Sequence, residues 1–143
     1  MCIRDRLGAD GLHVGQDDLD ALAAWRPDPG MLLGISITEP SQVEDAVALG
    51  ADYLGAGPVF ATPSKADAAQ PMGLEELAEA VARSSVPVVA IGGITEESVR
   101  SIIEAGASGV CVISAIASAP DAAAAARGLK AAVDEALRDV ARA

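Results

Sequence analysis

The sequence has few of the residues that build disulfide frameworks and metal sites. Of its 143 residues, two are cysteines and one is a histidine. Cys2 and Cys111 show neither a disulfide pattern nor a metal-ligand spacing. Because free cysteine packs as a small hydrophobic residue, we expect Cys111, within the apolar segment GVCVIS, to be a buried structural thiol. His13 alternates with Leu12 and Val14, which favours a strand-face histidine without chemistry over a ligand.

The sequence is also poor in positive charge. Ten lysines and arginines stand against 21 aspartates and glutamates, which gives a formal net charge of −11. This balance disfavours binding to nucleic acid or to an anionic membrane surface, so a bound anion must be held locally. No apolar run approaches the roughly 20 residues of a membrane span, and the start lacks the layout of a secretory signal. We therefore expect a cytoplasmic domain that binds small molecules.

One unit recurs along the chain: a short strand rich in β-branched residues, a loop, and a helix closed by glycine. The predicted strands are apolar on both faces, as in a buried parallel sheet, and cover residues 11–15, 31–36, 52–60, 86–93 and 109–114. Thr38 and Thr95 are predicted helix N-caps. The glycines of LGAD at 7–10 and 49–52 and of AGAS at 105–108 are predicted to end helices.

This alternation predicts a parallel α/β sheet with right-handed crossovers, either an open doubly wound sheet or a (β/α)8 TIM barrel. The sequence lacks a GxGxxG turn, and polar, glycine-rich residues follow every strand, where barrel enzymes assemble their sites. Both features favour the barrel. Five βα units do not close a barrel of eight strands, so the sheet is either open or part of a longer barrel.

Acidic and hydroxyl residues follow the first two strands. Asp17, Asp18 and Asp20 surround a helix start, where they either complement the helix dipole or ligate Mg²⁺. Ser36 ends the second strand, and such a serine is by itself more often a turn residue than a ligand-binding hydroxyl.

The loops after the fourth and fifth strands predict an anion site. Gly92 and Gly93 stand where a backbone approaches another group closely, and Ile113 and Ser114 precede a helical segment. Glycine-rich loops beside helix N–H groups bind anions, and the last two loops of barrels hold phosphate. Tight turns explain either loop alone, whereas the two loops together favour phosphate.

The segment GPVFATPSK opens the longest loop, at residues 57–72. Lys65 is one of two lysines in the chain and stands next to Ser64 and close to Thr62. Long loops in compact domains are commonly functional, and such a lysine suits a phosphate oxygen or a developing pyrophosphate charge. A solvated loop with a lone lysine is the competing interpretation.

Five sequence blocks, in this order and spacing, resemble the thiamine-phosphate synthase family: GADGLHVGQDDL, GIS, GADYLGAGPVFATPSK, VPVVAIGGIT and GASGVCVISAI. The resemblance runs from about Leu7 to about Leu129. It implies a (β/α)8 TIM barrel and a transferase, thiamine-phosphate diphosphorylase. Such an enzyme joins an aminopyrimidine methyl diphosphate to a thiazole phosphate with Mg²⁺, and it forms thiamine monophosphate and pyrophosphate.

The resemblance also implies roles for individual residues. Asp18 would ligate Mg²⁺, Ser36 would contact the pyrimidine diphosphate, and Lys65 would meet its phosphate. Ser36 and Lys65 are therefore the expected catalytic residues. The residues that match the family's thiazole-phosphate ligands are Thr62, Pro63, Ser64, Gly93, Ile113 and Ser114.

The chain departs from the family pattern at its start. The family's Gln, Arg and Lys cluster for the diphosphate, and its Asn-Asp pair with the second magnesium ligand, would precede GADG. Residues 1–6, MCIRDR, do not supply them, and we expect these residues to be a non-native leader. Residues 7–143 are then expected to be a partial barrel domain with strands four to eight. We expect the chain alone to show no synthase turnover.

Three alternatives to the synthase remain. Thiazole tautomerases share the fold but use acid–base chemistry and are expected to need a histidine near the loop of Ser36. The sequence SITEP lacks one, and Asp18 and Lys65 are present, so the synthase is favoured. Epimerase or isomerase barrels share the glycine loops but are not expected to carry TPSK. A non-catalytic phosphate-binding module is the third alternative.

Overall fold

Five parallel strands form one sheet in the computed structural model, which describes residues 8–24, 30–62 and 70–142. Neighbouring strands pair in chain order. The predicted parallel α/β sheet is confirmed, with each strand at its predicted place in the chain. The strands are β1 Gly11–Val14, β2 Leu32–Ile37, β3 Tyr53–Ala56, β4 Val88–Ile91 and β5 Gly109–Cys111.

Helices connect and follow the strands. Short 3₁₀ turns lead into three of them, at Gln16–Asp18, Pro40–Gln42 and Glu96–Ser98. Within the described ranges, no helix is both long enough and apolar enough to cross a bilayer. The helices are α1 Leu19–Ala24, α2 Val43–Ala48, α3 Gly73–Arg83, α4 Val99–Glu104, α5 Ser114–Ala117 and α6 Ala122–Val140.

The core lies between one face of the sheet and the helices. Alternate strand residues point to this face, and burial of each large aliphatic side chain contributes about 1.5–3 kcal/mol. Apolar side chains of the helices pack against these strand residues. The fully buried side chains of this layer include Ile35, Ile37, Leu54, Val43, Leu77, Val99, Ile102 and Ile103.

The opposite face of the sheet mixes aliphatic side chains with polar residues and glycines, so the prediction of strands apolar on both faces is wrong for this face. This face carries polar side chains and glycines, with Gly34 paired to Tyr53 and Ser36 paired to Gly55. At its amino end the side chain of Leu32 is 55% exposed. The sequence pattern misled because glycine counts as compatible with burial but supplies no side chain to bury.

Helix ends largely follow the predictions. Gly50 and Gly106 have φ of 91° and 97° and close α2 and α4, as predicted. Thr95 is confirmed as an N-cap, and its N–H donates to Ser98 Oγ at 3.0 Å. Thr38 is not a cap, because Pro40 occupies the first helical position and makes Glu39 the N-cap. The segment before Gly8 lies outside the described residues.

Candidate active site

A cavity of about 460 Å³ opens at the carboxyl ends of the strands. The fold brings together there five residues to which the family resemblance assigned substrate contacts: Ser36, Thr62, Gly93, Ile113 and Ser114. The carboxyl ends of parallel strands share one edge of the sheet, so loops distant in sequence meet at this edge. The other lining residues are Gly15, Gln16, Asp17, Thr38, Gln42, Gly57, Pro58, Ile91, Gly92, Ile94, Cys111 and Val112.

The glycine loop after β4 packs directly against the loop after β3. Gly93 has φ of 64°, and a Cβ there would lie 2.6 Å from the carbonyl oxygen of Ala61. The N–H of Phe60 donates to the carbonyl of Gly92 at 3.1 Å. Close approach of another backbone therefore accounts for the glycine at position 93. The same contact brings Thr62 and Gly93 to one cavity wall.

The loop after β5 supplies a further part of the cavity lining. The side chain of Ile113 is 62% exposed, and that of Ser114 at the first position of α5 is exposed as well. Cys111 lines the same part of the cavity and is exposed, so the prediction of a buried thiol is wrong. Its position on β5 points away from the helix layer, and the sequence pattern alone does not distinguish the two sheet faces.

The acidic turn after β1 lies at the rim. Asp17 lines the cavity, whereas Asp18 is exposed in the same turn, with its Oδ2 close to Gly15, and does not line the cavity. Asp20 lies in α1. No group of three or more histidine, cysteine or acidic side chains is placed to hold a metal ion within the described ranges. Asp17 and Asp18 thus provide the carboxylate oxygens, which are hard donors, at this rim.

The long loop begins and ends in ordered hydrogen bonds. The N–H groups of Met72 and Gly73 donate to the carbonyls of Pro58 and Val59 at 2.9 and 3.0 Å. Three predicted site residues within this loop, Pro63, Ser64 and Lys65, lie outside the described residues. None of the cavity-lining residues in the described part of the chain is a lysine or an arginine.

Ser36 forms a hydrogen bond with His13, which the sequence pattern had indicated to be a strand-face histidine without chemistry. Ser36 Oγ lies 2.9 Å from Nε2 of His13, and Nδ1 of His13 lies 2.9 Å from the hydroxyl of Tyr53. The side chain of Gln16 donates to the carbonyl of Ser36. Desolvation by burial lowers the pKa of His13, which favours the neutral form of the imidazole.

This arrangement corrects one premise of the sequence analysis, namely that no histidine stands near Ser36. His13 is 23 residues away in sequence but is in hydrogen-bond contact in the fold. Strand register carries the missing signal, since β1 pairs with β2 with His13 opposite Gly34. Thr38, predicted only as a helix N-cap, also lines the cavity, as do Gln16 and Gln42, for which the sequence predicted no role.

Comparison with known proteins gives a consistent picture. The sequence profile of the family described as thiamine monophosphate synthase matches residues 2–116. The thiamine-phosphate synthase of Chloroflexus aurantiacus is 49% identical over 125 residues, which is 87% of this chain and 58% of that protein. The thiamine-phosphate synthase of Roseiflexus sp. is 48% identical over 138 residues, which is 96% of this chain and 58% of that protein.

A solved structure agrees with the sequence relatives. The thiamine phosphate pyrophosphorylase of Pyrococcus furiosus superimposes with a TM-score of 0.84 at 37% identity, over 94% of this chain and 64% of that chain. The chain therefore spans 58% of the length of these two curated relatives. Because the profile matches most of the chain, the protein belongs to the thiamine monophosphate synthase family.

Proposed function

We propose that this chain carries the phosphate-binding part of a thiamine-phosphate synthase site. The enzyme joins an aminopyrimidine methyl diphosphate to a thiazole phosphate and releases pyrophosphate. The observation that supports this function best is the meeting of Ser36, Thr62, Gly93 and Ser114 at one cavity in a member of that family. We also propose that β1–β5 correspond to strands four to eight of the (β/α)8 barrel.

The thiazole phosphate is assigned to the walls built by the loops after β3, β4 and β5. Thr62, Ser114 and Gly93 line the cavity, and none of the described lining residues carries a cationic side chain. Hydroxyls and backbone N–H groups bind phosphate oxygens well in such a setting. Pro63, Ser64 and Ile113 complete this proposed set. Lys65 supplies the positive charge that the diphosphate needs.

The acidic turn fits a magnesium ion held through few protein ligands. Mg²⁺ commonly takes one or two carboxylates and completes its shell with water and substrate phosphate. Asp18, with Asp17 beside it at the cavity rim, offers such donors. When bound, the ion would neutralise charge on the diphosphate.

The reaction then requires positioning and charge stabilisation rather than a protein nucleophile. The bond between the pyrimidine methylene carbon and the diphosphate oxygen breaks, and its electron pair leaves with pyrophosphate. The thiazole nitrogen donates its lone pair to the same carbon. Ser36 and Lys65 donate hydrogen bonds to the leaving diphosphate, so the protein lowers the barrier by stabilising the departing charge.

Separate titrations test the two halves of this site. We expect calorimetry to show that the purified chain binds the thiazole phosphate and that Ser114→Ala weakens this binding about tenfold, because a hydrogen bond to an anion is lost. Ser85→Ala removes an equally small hydroxyl from an exposed position outside the cavity and serves as the control. Equal binding by both variants, or no binding by the unaltered chain, would contradict the assignment.

An activity assay tests the complete reaction. We expect no thiamine monophosphate from both substrates with the 143-residue chain alone. The resemblance places the family's Gln, Arg, Lys and Asn-Asp groups before GADG, so we expect a fusion to the N-terminal part of the Chloroflexus aurantiacus relative to give turnover. That turnover should fall at least about a hundredfold in Lys65→Ala, as for other groups that stabilise transition-state charge. An active fusion insensitive to this change would refute the role of Lys65.

One observation favours a second candidate, the acid–base chemistry of a thiazole tautomerase. The contact between Ser36 and His13 could relay a proton to or from the cavity, although His13 itself does not line the cavity. Tautomerisation of a thiazole carboxylate phosphate in D₂O would give deuterium incorporation visible by proton NMR. Incorporation that depends on His13, without any condensation by the fusion, would favour this candidate over the synthase.

A further inference from the structure

Three side chains from neighbouring strands form one hydrogen-bonded row on the open face of the sheet. His13 on β1 lies between Tyr53 on β3 and Ser36 on β2, at 2.9 Å from each hydroxyl. The register accounts for the row, because His13, Gly34 and Tyr53 are consecutive partners across three strands. Ser36 belongs to the cavity lining, whereas His13 and Tyr53 do not. The row therefore runs from the sheet face to the cavity and ends there.

Two glycines leave the room that the imidazole occupies. A Cβ on Gly34 would collide with Nδ1 of His13 and with the ring of Tyr53. A Cβ on Gly55 would lie 3.0 Å from Cε1 and 3.3 Å from Nε2 of His13. The imidazole thus lies over glycine backbone on β2 and β3, and the centroid of its ring lies 5.4 Å from the centroid of the Tyr53 ring. Backbone and two hydroxyls fix its orientation, so both nitrogens have defined partners.

The direction of the hydrogen bonds decides what Ser36 can do in the cavity. A neutral imidazole has one donor and one acceptor nitrogen, and each hydroxyl can take either role. If Tyr53 donates to Nδ1, the proton of His13 lies on Nε2 and is donated to Ser36 Oγ. The hydroxyl proton of Ser36 is then free to point into the cavity. In the opposite tautomer, the Ser36 hydroxyl donates its proton to Nε2 and cannot donate it into the cavity.

We propose that His13 is a positioning residue that holds Ser36 as a hydrogen-bond donor toward an anionic ligand in the cavity. In this arrangement the Tyr53 hydroxyl donates to Nδ1, and Nε2–H donates to Ser36 Oγ. Gln16 also fixes the backbone of Ser36 by donating to its carbonyl. The identity of the anion, a diphosphate, rests on the function proposed above, whereas the two contacts of His13 do not.

NMR of the full chain tests the proposal directly, because His13 is the only histidine in the sequence. In ¹⁵N-labelled protein we expect the signature of a protonated Nε2 and an unprotonated Nδ1, with a pKa below that of a free histidine. Tyr53→Phe should move the tautomer toward a mixture, and Ser36→Ala should shift the Nε2 signal. A protonated Nδ1, or signals insensitive to both variants, would overturn the proposal.

Ligand binding tests the consequence for Ser36. With magnesium pyrophosphate as the probe, followed by NMR, we expect Ser36→Ala and His13→Phe each to weaken binding about tenfold. The double variant should be no weaker than either single variant, since His13 acts through Ser36. His13→Gln, whose amide can still donate, should recover part of the affinity. Additive losses would show that His13 acts independently and would refute the proposal.

The two readouts separate failure of the inference from failure of the proposed function. If the unaltered chain does not bind magnesium pyrophosphate, the diphosphate assignment fails, and the tautomer measured in the free protein still decides the role of His13. Circular dichroism of His13→Phe and His13→Gln shows whether each variant folds. Because His13→Gln keeps a polar, donating side chain, it remains informative if the phenylalanine variant is unfolded.

Discussion

Individual glycines near the site serve two different purposes. A side chain at Gly93 would collide with the backbone of Ala61, which cannot move without displacing the loop after β3. A side chain at Gly34 would instead collide with the ends of His13 and Tyr53, which can rotate away. Position 93 therefore protects the fold of two loops, whereas position 34 protects the geometry of a hydrogen-bonded row.

The lowered pKa of His13 predicts how stability depends on pH. A base whose folded-state pKa is depressed adds stability above its unfolded pKa and loses it as the pH falls through the folded pKa. We expect the free energy of unfolding to fall from about pH 7 toward pH 5, since an unperturbed histidine titrates near 6.5. Urea unfolding of the parent and of His13→Phe at pH 7 and at pH 5 measures this change in the free energy of unfolding.

The comparison with His13→Phe isolates the histidine. The lowered pKa values of Glu44, beside Arg83, and of Glu97, beside Thr95, act only at more acidic pH and are present in both proteins. The loss of stability across this window should therefore be smaller in His13→Phe. An equal pH dependence in the two proteins would show that the imidazole is not desolvated.

At the scale of elements, α2 and α4 end in the same motif with different surroundings. Gly50 donates to Val47 and Ala51 to Ala46, and the corresponding bonds of Gly106 and Ala107 go to Ile103 and Ile102. These are the paired bonds of a Schellman motif. A Cβ at Gly50 meets no atom within 4 Å, but one at Gly106 would lie 2.8 Å from Cγ1 of Val81 on α3.

This matched pair separates backbone strain from packing. Gly50→Ala should destabilise the protein by about 1–2 kcal/mol, because alanine is strained at a left-handed φ. Gly106→Ala should cost about 1–3 kcal/mol more, since the methyl group also pushes Val81 out of a close-packed site between α3 and α4. Urea unfolding of both variants gives the difference. Equal losses would mean that Val81 moves aside freely.

The order and type of most elements could be predicted from sequence because β-branched strands and glycine-closed helices are local patterns. Thr95 and Gly106 were identified this way, since caps depend on a few adjacent residues. Thr38 was not, because a proline two residues later moved the cap to Glu39. The contact between His13 and Ser36 also escaped prediction, since it depends on strand register and on the sheet face of each residue.

For the whole molecule, the uneven covering of the sheet has the largest consequence. One face is packed against helices, while the other carries exposed aliphatic side chains such as Leu32 and Ile91. In the described sheet, β1 and β5 are the outer strands, and outer strands are available for pairing with another chain. A net charge of −11 opposes such association.

Association should therefore depend on both concentration and salt. We expect sedimentation velocity to show a shift to larger species as protein concentration rises, and a greater shift when salt screens the negative charge. Leu32→Lys places a charge on the exposed face and should reduce the shift, as charges on open sheets do in natural proteins. Leu137→Lys, at an exposed site on α6, is the matched control. A single monomeric species throughout would contradict this expectation.

The division of labour between the two faces of the sheet has a consequence for how this sequence can change. Residues that hold the folded state and residues that line the cavity alternate along the same strand, as Ile35, Ser36 and Ile37 do on β2. A substitution at Ser36 leaves the aliphatic layer untouched. Single substitutions at such positions can therefore change ligand preference without lowering the marginal stability of the chain. This gives the scaffold room to diversify.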